Sequence, residues 1–174
     1  MRSIRWKGIE SPSTETCHVE ISGRGVRITG TVSGEHGELS YAIAADAHWR
    51  FRALVIALGE RSCRLERVDD EWTVDGEPRP DLAEAHEPDI SASPVSNTLP
   101  IRRLRLADGQ SADIVTAYVS VPELTVLPDP QRYTRLSRHE YLYESRDSDF
   151  RRTLTVDDDG FVVTYPGLFE RAPD

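Results

Sequence analysis

The dominant period along the chain is two. Within Gly25–Val32, Val26, Ile28 and Val32 fall on one face and Arg27, Thr29 and Thr31 on the other, the mark of a half-buried strand. Leu39, Tyr41 and Ile43 repeat the pattern. From Trp49 to Leu58 the alternation begins with Trp49, Phe51, Ala53 and Val55 set against Arg50 and Arg52, then turns apolar on both faces at Leu54, Ile56 and Leu58. That predicts a strand covered on both sides at one end, as in a curled or rolled sheet. Further strand signals lie at Cys63–Val68, Glu71–Val74, Ile101–Leu106, Ala112–Val121, His139–Glu144, Arg151–Val156 and Phe161–Tyr165.

Turn chemistry separates these runs. Gly34–Gly37, Val74-Asp75-Gly76, Ala107-Asp108-Gly109 and Asp157–Gly160 read as hairpin connections, because Asp-Gly pairs tolerate positive φ. No helical stripe exceeds two turns; Asp81–Glu87 allows one short helix. The pattern predicts an all-β, mostly antiparallel chain with at most short helices, organised as one domain over residues 1–174. Gly76–Pro100 stands apart, since it holds Pro78, Pro80, Pro88, Pro94 and Pro100. Proline removes a ladder donor, so a long connection is expected there rather than a central strand. Its last part, Ala92–Pro100, is expected to be ordered against the sheet, because Ser96-Asn97-Thr98 can bond local backbone groups. Pro122, Pro128 and Pro130 mark a second wide connection before Tyr133.

Charge narrows the function classes. Lys plus Arg is 21 and Asp plus Glu is 30 among 174 residues, a formal net charge of −9. That sign opposes binding to a phosphate backbone, so nucleic acid is not expected as the main partner. The longest aliphatic run, Ala53–Leu58, is far short of the roughly 20 residues a spanning helix needs. No apolar stretch follows the basic N-terminus, and a cytoplasmic location is the resulting expectation. Cys17 and Cys63 read as free, half-buried thiols. The five histidines include no closely spaced ligand pair, so no metal or cofactor is expected.

Two groups of residues carry candidate chemistry. In Ile101–Leu106, alternation sets Arg102 with Leu104 and Leu106, and Arg103 and Arg105 opposite. An arginine drawn inward must find a carboxylate, carbonyls or an anionic ligand. Arg102 is thus expected to be buried and salt-bridged, to a residue such as Asp89, or to form a polar clamp at the mouth of an apolar pocket. The tyrosines also group, with Tyr141 and Tyr143 on one strand face, Tyr133 before them and Tyr165 near the end. Rings with hydroxyl tips suit the wall of a sugar or amphiphile site, and equally suit a β core with phenols reaching solvent.

The run Ser93-Pro94-Val95-Ser96-Asn97-Thr98-Leu99-Pro100-Ile101-Arg102-Arg103-Leu104 resembles the Thr-Pro-x-Thr-Asn-Thr-Leu-Pro-Ile-Arg-Arg-Leu signature of the bacterial Putative glycolipid-binding family, long filed as a domain of unknown function. Gln131–Thr134 with Tyr141-Leu142-Tyr143, and Val156-Asp157 with Gly160–Val162 through Tyr165–Arg171, are similar to the same family. Trp6, Glu10, Tyr41 and Asp46-x-x-Trp49-Arg50 fit it more loosely. One segment departs: Ala85-His86-Glu87-Pro88-Asp89 stands where the family carries Cys-x-Asp-Val-Asp. The resemblance implies a single antiparallel sheet curled into a spiral β-roll and a lipid-like ligand; it brings no catalytic residues.

Three functions remain in view. The first is non-enzymatic binding of an amphiphile, a glycolipid being the case the resemblance implies. Its tails would lie in an apolar groove lined from Trp49, Phe51, Leu104, Val119 and Phe161, with Asn97, Arg102 and Tyr133 at the polar end and Tyr141, Tyr143 and Tyr165 as a phenolic wall. The second is a small hydrolase or isomerase using Asp46/His48 or His86/Glu87. The third is a scaffold in a larger assembly. A cavity with few convergent polar groups favours the first.

Overall fold

A computed structural model describes residues 1–173. Strands make up 60% of the chain and form one curled sheet of 15 strands that does not close into a barrel. In chain order the strands are β1 (Arg2–Gly8), β2 (Ser13–Ser22), β3 (Gly25–Gly34), β4 (Gly37–Ala45), β5 (Phe51–Leu58), β6 (Arg61–Val68), β7 (Glu71–Val74), β8 (Glu77–Pro78), β9 (Ala85–Ile90), β10 (Ser111–Val119), β11 (Val126–Ser137), β12 (Glu140–Ser145), β13 (Arg151–Val156), β14 (Val162–Tyr165) and β15 (Phe169–Arg171). A 3-10 turn spans Pro80–Leu82, and one α-helix, α1, spans Val95–Leu104.

The sheet order is β8-β7-β6-β5-β4-β3-β2-β1-β15-β14-β13-β12-β11-β10-β9. Every pairing is antiparallel except β9 with β10. The first half of the chain walks outward from β1, the second walks back, and β15 joins β1 in the middle. The two edges, β8 and β9, are neighbours in sequence. Laid flat, 15 strands about 4.8 Å apart would span roughly 65 Å, yet the link from Pro78 to Ala85 can reach only about 25 Å. The sheet must therefore roll until its edges nearly meet. Across that seam the indole nitrogen of Trp72 donates to the Ala85 carbonyl at 3.0 Å, and Arg79 donates to the Val126 carbonyl at 2.7 Å.

Inside the roll lie two apolar clusters. One is aliphatic and tryptophan-rich, from Ile4, Trp6, Ile28, Ile43, Leu54, Ile56 and Leu65 to Leu99. The other gathers Tyr133, Tyr141, Tyr143 and Tyr165 with Leu154, Val156 and Val162. Phe51 stacks on Trp72 with centroids 5.1 Å apart. Cys17 and Cys63 are buried free thiols. Gly30 has a close-packing role: Tyr41 on the neighbouring strand lies across it, where any Cβ would collide with the phenol ring.

Several expectations are corrected. Ile101–Leu106 is not a strand; most of it belongs to α1, and Arg105 ends the helix in the left-handed region at φ 49. With a period of 3.6, Val95, Leu99 and Arg103 share a face, so Arg103 and not Arg102 carries the buried pair. Arg103 Nε and Nη2 donate to the two oxygens of Glu87 at 2.6 and 2.8 Å, and the Glu87 side chain is fully buried. Arg102 is half-buried and rests over the Trp49 ring at 5.0 Å, with no carboxylate partner among the described residues. Ala92–Pro100 is ordered and packed inward, as expected, but as the start of this helix.

The expected break before Tyr133 is short, because β11 already begins at Val126 and contains Pro128 and Pro130. The Pro130 carbonyl accepts from Arg146 on the side away from β10. Alternate residues point the same way, so both prolines aim their missing N–H away from β10 and cost no bond in that ladder. In β5 a register shift opposite Ala44 and Ala45 turns Phe51, Leu54, Ile56 and Leu58 all inward, while Val55 points out. The doubly apolar run therefore reflects a bulge and not a strand covered on both sides. Ala107–Gly109 connects α1 to β10 and is not a hairpin.

Candidate functional site

The second half of the roll leaves its tyrosine face partly open. A cavity of about 340 Å³ is bounded by Asp89, Ser91 and Ser93 from the end of β9, Asn97 from the first turn of α1, Tyr118, Asp129, Tyr143, Ser145, Phe150 and Tyr165. A second cavity, of about 420 Å³, opens at one end of the roll between the β1–β2, β3–β4 and β10–β11 turns. Val32, Leu39, Leu58, Ala92 and Val121 give it an apolar floor, and Glu10, Glu35, His36 and Glu123 lie at its rim. Ser91, Tyr118, Leu168 and Phe169 line both cavities, so the two share a wall.

The polar cavity has a defined hydrogen-bonding plan. Gln131, fully buried, donates through Nε2 to Asp89 Oδ2 at 2.7 Å and to Asp129 Oδ2 at 2.8 Å. Those bonds leave each Oδ1 without a protein partner among the described residues. Burial pushes the Asp89 carboxyl up to about 6, with the Asp129 charge adding to the rise and the Gln131 bond opposing it. Burial also raises Asp129. The phenols of Tyr143 and Tyr165 are raised, first by burial and then by the Asp89 charge, and remain neutral donors at ordinary pH. Both residues are only 6% exposed, and neither hydroxyl has a hydrogen-bond partner among the described residues. Tyr133 stands behind them, accepting from Asn97 Nδ2 at 2.8 Å.

One further buried carboxylate lies outside both cavities. Glu15 on β2 accepts from Tyr41 and from Ser93 through Oε1 at 2.5 and 2.6 Å, while Oε2 has no partner. Burial raises its pKa to about 7, against the pull of those two bonds.

The structure brings Asn97, Tyr143 and Tyr165 together on the polar cavity, with Tyr133 directly behind. Trp49 and Phe51 sit in the packed core, 3% and 0% exposed, with Val119 and Phe161 equally enclosed. Trp49 meets Phe161 edge-on at 6.2 Å. Arg102 and Tyr141 face a different cleft, of about 360 Å³, shared with Arg105, Arg135 and Arg138. Leu104 packs half-buried against the tyrosine cluster. Asp46 Oδ1 accepts from the backbone of His48 and Arg50 and Oδ2 from Arg52, so this carboxylate shapes a turn. Glu87 is held by Arg103 and not by His86. Asp89, Asp129, Tyr118 and the serines were not singled out as site residues by their pattern. The one signal was an aspartate between two prolines in Pro128-Asp129-Pro130.

No helix among the described residues is long and apolar enough to cross a membrane. No protein with a curated description matches the chain. The crystal structure of a DUF1089 family protein from Pseudomonas aeruginosa is similar at 37% sequence identity, covering 93% of this chain and 94% of that one with a TM-score of 0.79. The pattern of the family described as Putative glycolipid-binding matches residues 3–171. The chain belongs to that family.

Proposed function

We propose that the protein binds one amphiphile of the glycolipid type without covalent chemistry, chain 1–174 acting as a single binding domain. The sugar occupies the polar cavity and the hydrocarbon occupies the neighbouring apolar one. The observation that carries this reading is the shared wall of Ser91, Tyr118, Leu168 and Phe169 between a cavity edged by carboxylates and phenols and one with an aliphatic floor. Sugars present vicinal hydroxyls and apolar ring faces. Carboxylates accept from the hydroxyls, phenols and Asn97 donate to them, and the rings of Tyr143, Tyr165 and Phe150 offer stacking surfaces. The family's description supports the same ligand class.

The test uses alkyl β-thioglucosides, whose sulfur linkage resists acid–base cleavage, followed by backbone amide shifts. Octyl thioglucoside is expected to shift amides around both cavities, including Ser91, Tyr118, Leu168 and Phe169. Free glucose should shift only those around the polar one. Each buried methylene contributes about 0.8 kcal/mol, so octyl should bind roughly tenfold more tightly than hexyl. Amides that stay still at the shared wall overturn the proposal. Native mass spectrometry of protein from its own host would then identify the natural lipid.

A further inference from the structure

The cleft at the C-terminal end of α1 holds cations that the fold leaves unmatched. Arg102, Arg105, Arg135 and Arg138 line it, together with Asp157 and Asp158. Both aspartates are already engaged. Asp157 Oδ2 accepts from Arg2 at 2.5 Å and from Arg171 at 2.8 Å, and its Oδ1 accepts from the backbone of Asp159 and Phe161. Asp158 Oδ1 pairs with Arg138 at 2.7 Å. Arg135 pairs with Asp108 at 3.0 Å and donates through Nη1 to the Leu106 carbonyl at 2.8 Å. Arg102 and Arg105 have no acceptor among the described residues. The C-terminus of α1 carries about half a negative charge, so an excess of roughly one and a half positive charges stays in the cleft. The chain as a whole carries −9.

Arg102 is also held in place. Its guanidinium lies over the Trp49 ring at 5.0 Å, and on its stem sits Gly160, where an added Cβ would come within 3.3 Å of Arg102 Cδ. A guanidinium stacked on a ring keeps its in-plane N–H groups open, and these grip an oxyanion as a fork. Tyr141 adds a phenol beneath the Arg135 guanidinium, at 6.0 Å. That residue is 5% exposed, and its hydroxyl has no hydrogen-bond partner among the described residues. Donors left without acceptors in one cleft call for a ligand that brings them.

We propose that this cleft binds a phosphate monoester, with Arg102 and Arg105 as its principal contacts and Arg135 and Tyr141 as supporting donors. A monoester brings about −1.5 to −2 charges near pH 7 and three acceptor oxygens. That matches both the excess charge and the separate elements from which the donors come, α1, β11 and β12. A carboxylate brings one charge in one plane and satisfies a single fork. The cleft shares no lining residue with the two cavities assigned to the amphiphile, so this proposal does not rest on that reading. An acidic chain is repelled by an anionic surface, so the site takes one phosphate at a time, from a soluble ester or a single lipid headgroup.

Glycerol 3-phosphate and dihexanoylphosphatidic acid carry the group without and with hydrocarbon. Each is titrated into the isotope-labelled chain below the lipid's micelle concentration and followed by backbone amide shifts. At least one is expected to half-saturate the shifts of Arg102, Arg105 and Arg135 below about 1 mM. Lactate, with one negative charge, should bind about tenfold or more weakly. Both sources fit the proposal: a lipid about tenfold or more tighter than glycerol 3-phosphate marks a headgroup site, and a smaller ratio marks a site for soluble esters. R105Q should weaken binding about tenfold. Arg105 is exposed and makes no hydrogen bond among the described residues, so loss of the fold does not explain that result. R102K keeps the charge, loses the fork and should weaken binding by about as much. R27Q, at an exposed position on β3 outside the cleft, should leave binding unchanged. The proposal is overturned if neither phosphate half-saturates these amides below about 1 mM, or if lactate binds as tightly. Binding that survives both R105Q and R102K, or that falls equally in R27Q, overturns it as well.

Discussion

The two halves of the roll use the same alternation to opposite ends. On β2 to β6 the inward positions are mostly aliphatic, and the interior they enclose is filled: Ile28, Leu54, Ile56 and Leu65 are fully buried. On β11, β12 and β14 the inward positions are Tyr133, Tyr141, Tyr143 and Tyr165. A phenol brings a polar tip into the interior with it, and that tip needs water, a partner or a ligand. The filled half is a foundation, and the phenolic half is where the proposed ligand would sit. One carboxylate from each half shows the difference: Glu15 in the first is enclosed by Tyr41 and Ser93, whereas Asp89 in the second borders open space.

The comparison is broken most forcefully in the filled half. Phe51→Ala removes a ring stacked on Trp72 and fully enclosed, and should destabilise the protein by roughly 3 to 5 kcal/mol in urea unfolding. A loss below about 1 kcal/mol would mean that this half is loosely packed. Next comes the ion pair beneath α1. Arg103→Ala strands the buried Glu87 charge and should cost about 3 kcal/mol. Arg105→Ala, at an exposed position, should cost less than about 0.5 kcal/mol. A reversed ranking in thermal melts would place Arg103 on the wrong helix face.

Glu15 gives a pH test. Its folded-state value near 7 lies above the ordinary 4.5, so between those values the folded protein holds a proton that the unfolded chain has released. Stability from this group is therefore lost as pH rises through that window. From pH 5 to pH 8 the loss should be about 2 kcal/mol. Glu15→Gln should flatten the slope, seen as unfolding free energy against pH; an unchanged slope would show that Glu15 ionises normally. The smallest effects sharpen the contrast within the phenolic half. Tyr133→Phe leaves the Asn97 amide unsatisfied and should cost about 1 to 2 kcal/mol. Tyr143→Phe removes a hydroxyl with no protein partner and should change stability by less than about 0.5 kcal/mol, while weakening thioglucoside binding. A Tyr143→Phe loss as large as that of Tyr133→Phe would mean the hydroxyl bonds within the protein.

Much of the sheet was legible because its alternation is strong wherever β-branched residues fill the inward positions, as on β3 and β4. The misreadings have local causes. At α1, Leu-Arg alternation in Ile101–Leu106 satisfies periods of two and of 3.6 equally over six residues, and only the packing of Arg103 on Glu87 decides between them. β2 carries Glu15 at an inward position, β9 carries Glu87 and Pro88, and β11 carries Pro128 and Pro130. Each violates a propensity rule, and the roll tolerates each for a different reason: a buried hydrogen-bonded acid, a paired acid on an edge strand, and prolines facing away from the ladder. The candidate site was only partly legible. The tyrosines could be grouped from spacing, but Asp89 and Asp129 lie 40 residues apart in the chain and converge only through Gln131.

The meeting of β15 with β1 has a consequence for how the molecule is made. Trp6 pairs with Arg171, and the Trp6 indole donates to the Val162 carbonyl at 2.8 Å. During synthesis at roughly 5 to 20 residues per second, about 10 to 30 seconds separate the appearance of the first strand from that of the last. Throughout that interval Arg2–Gly8 has no partner on its outer side. A nascent chain is thus exposed to strand addition by its neighbours until Phe169–Arg171 leave the ribosome. Contacts that close over so long a stretch of chain also form slowly. A shortened product ending before Phe169 would carry that open edge permanently, and would be the form of this protein most prone to aggregate.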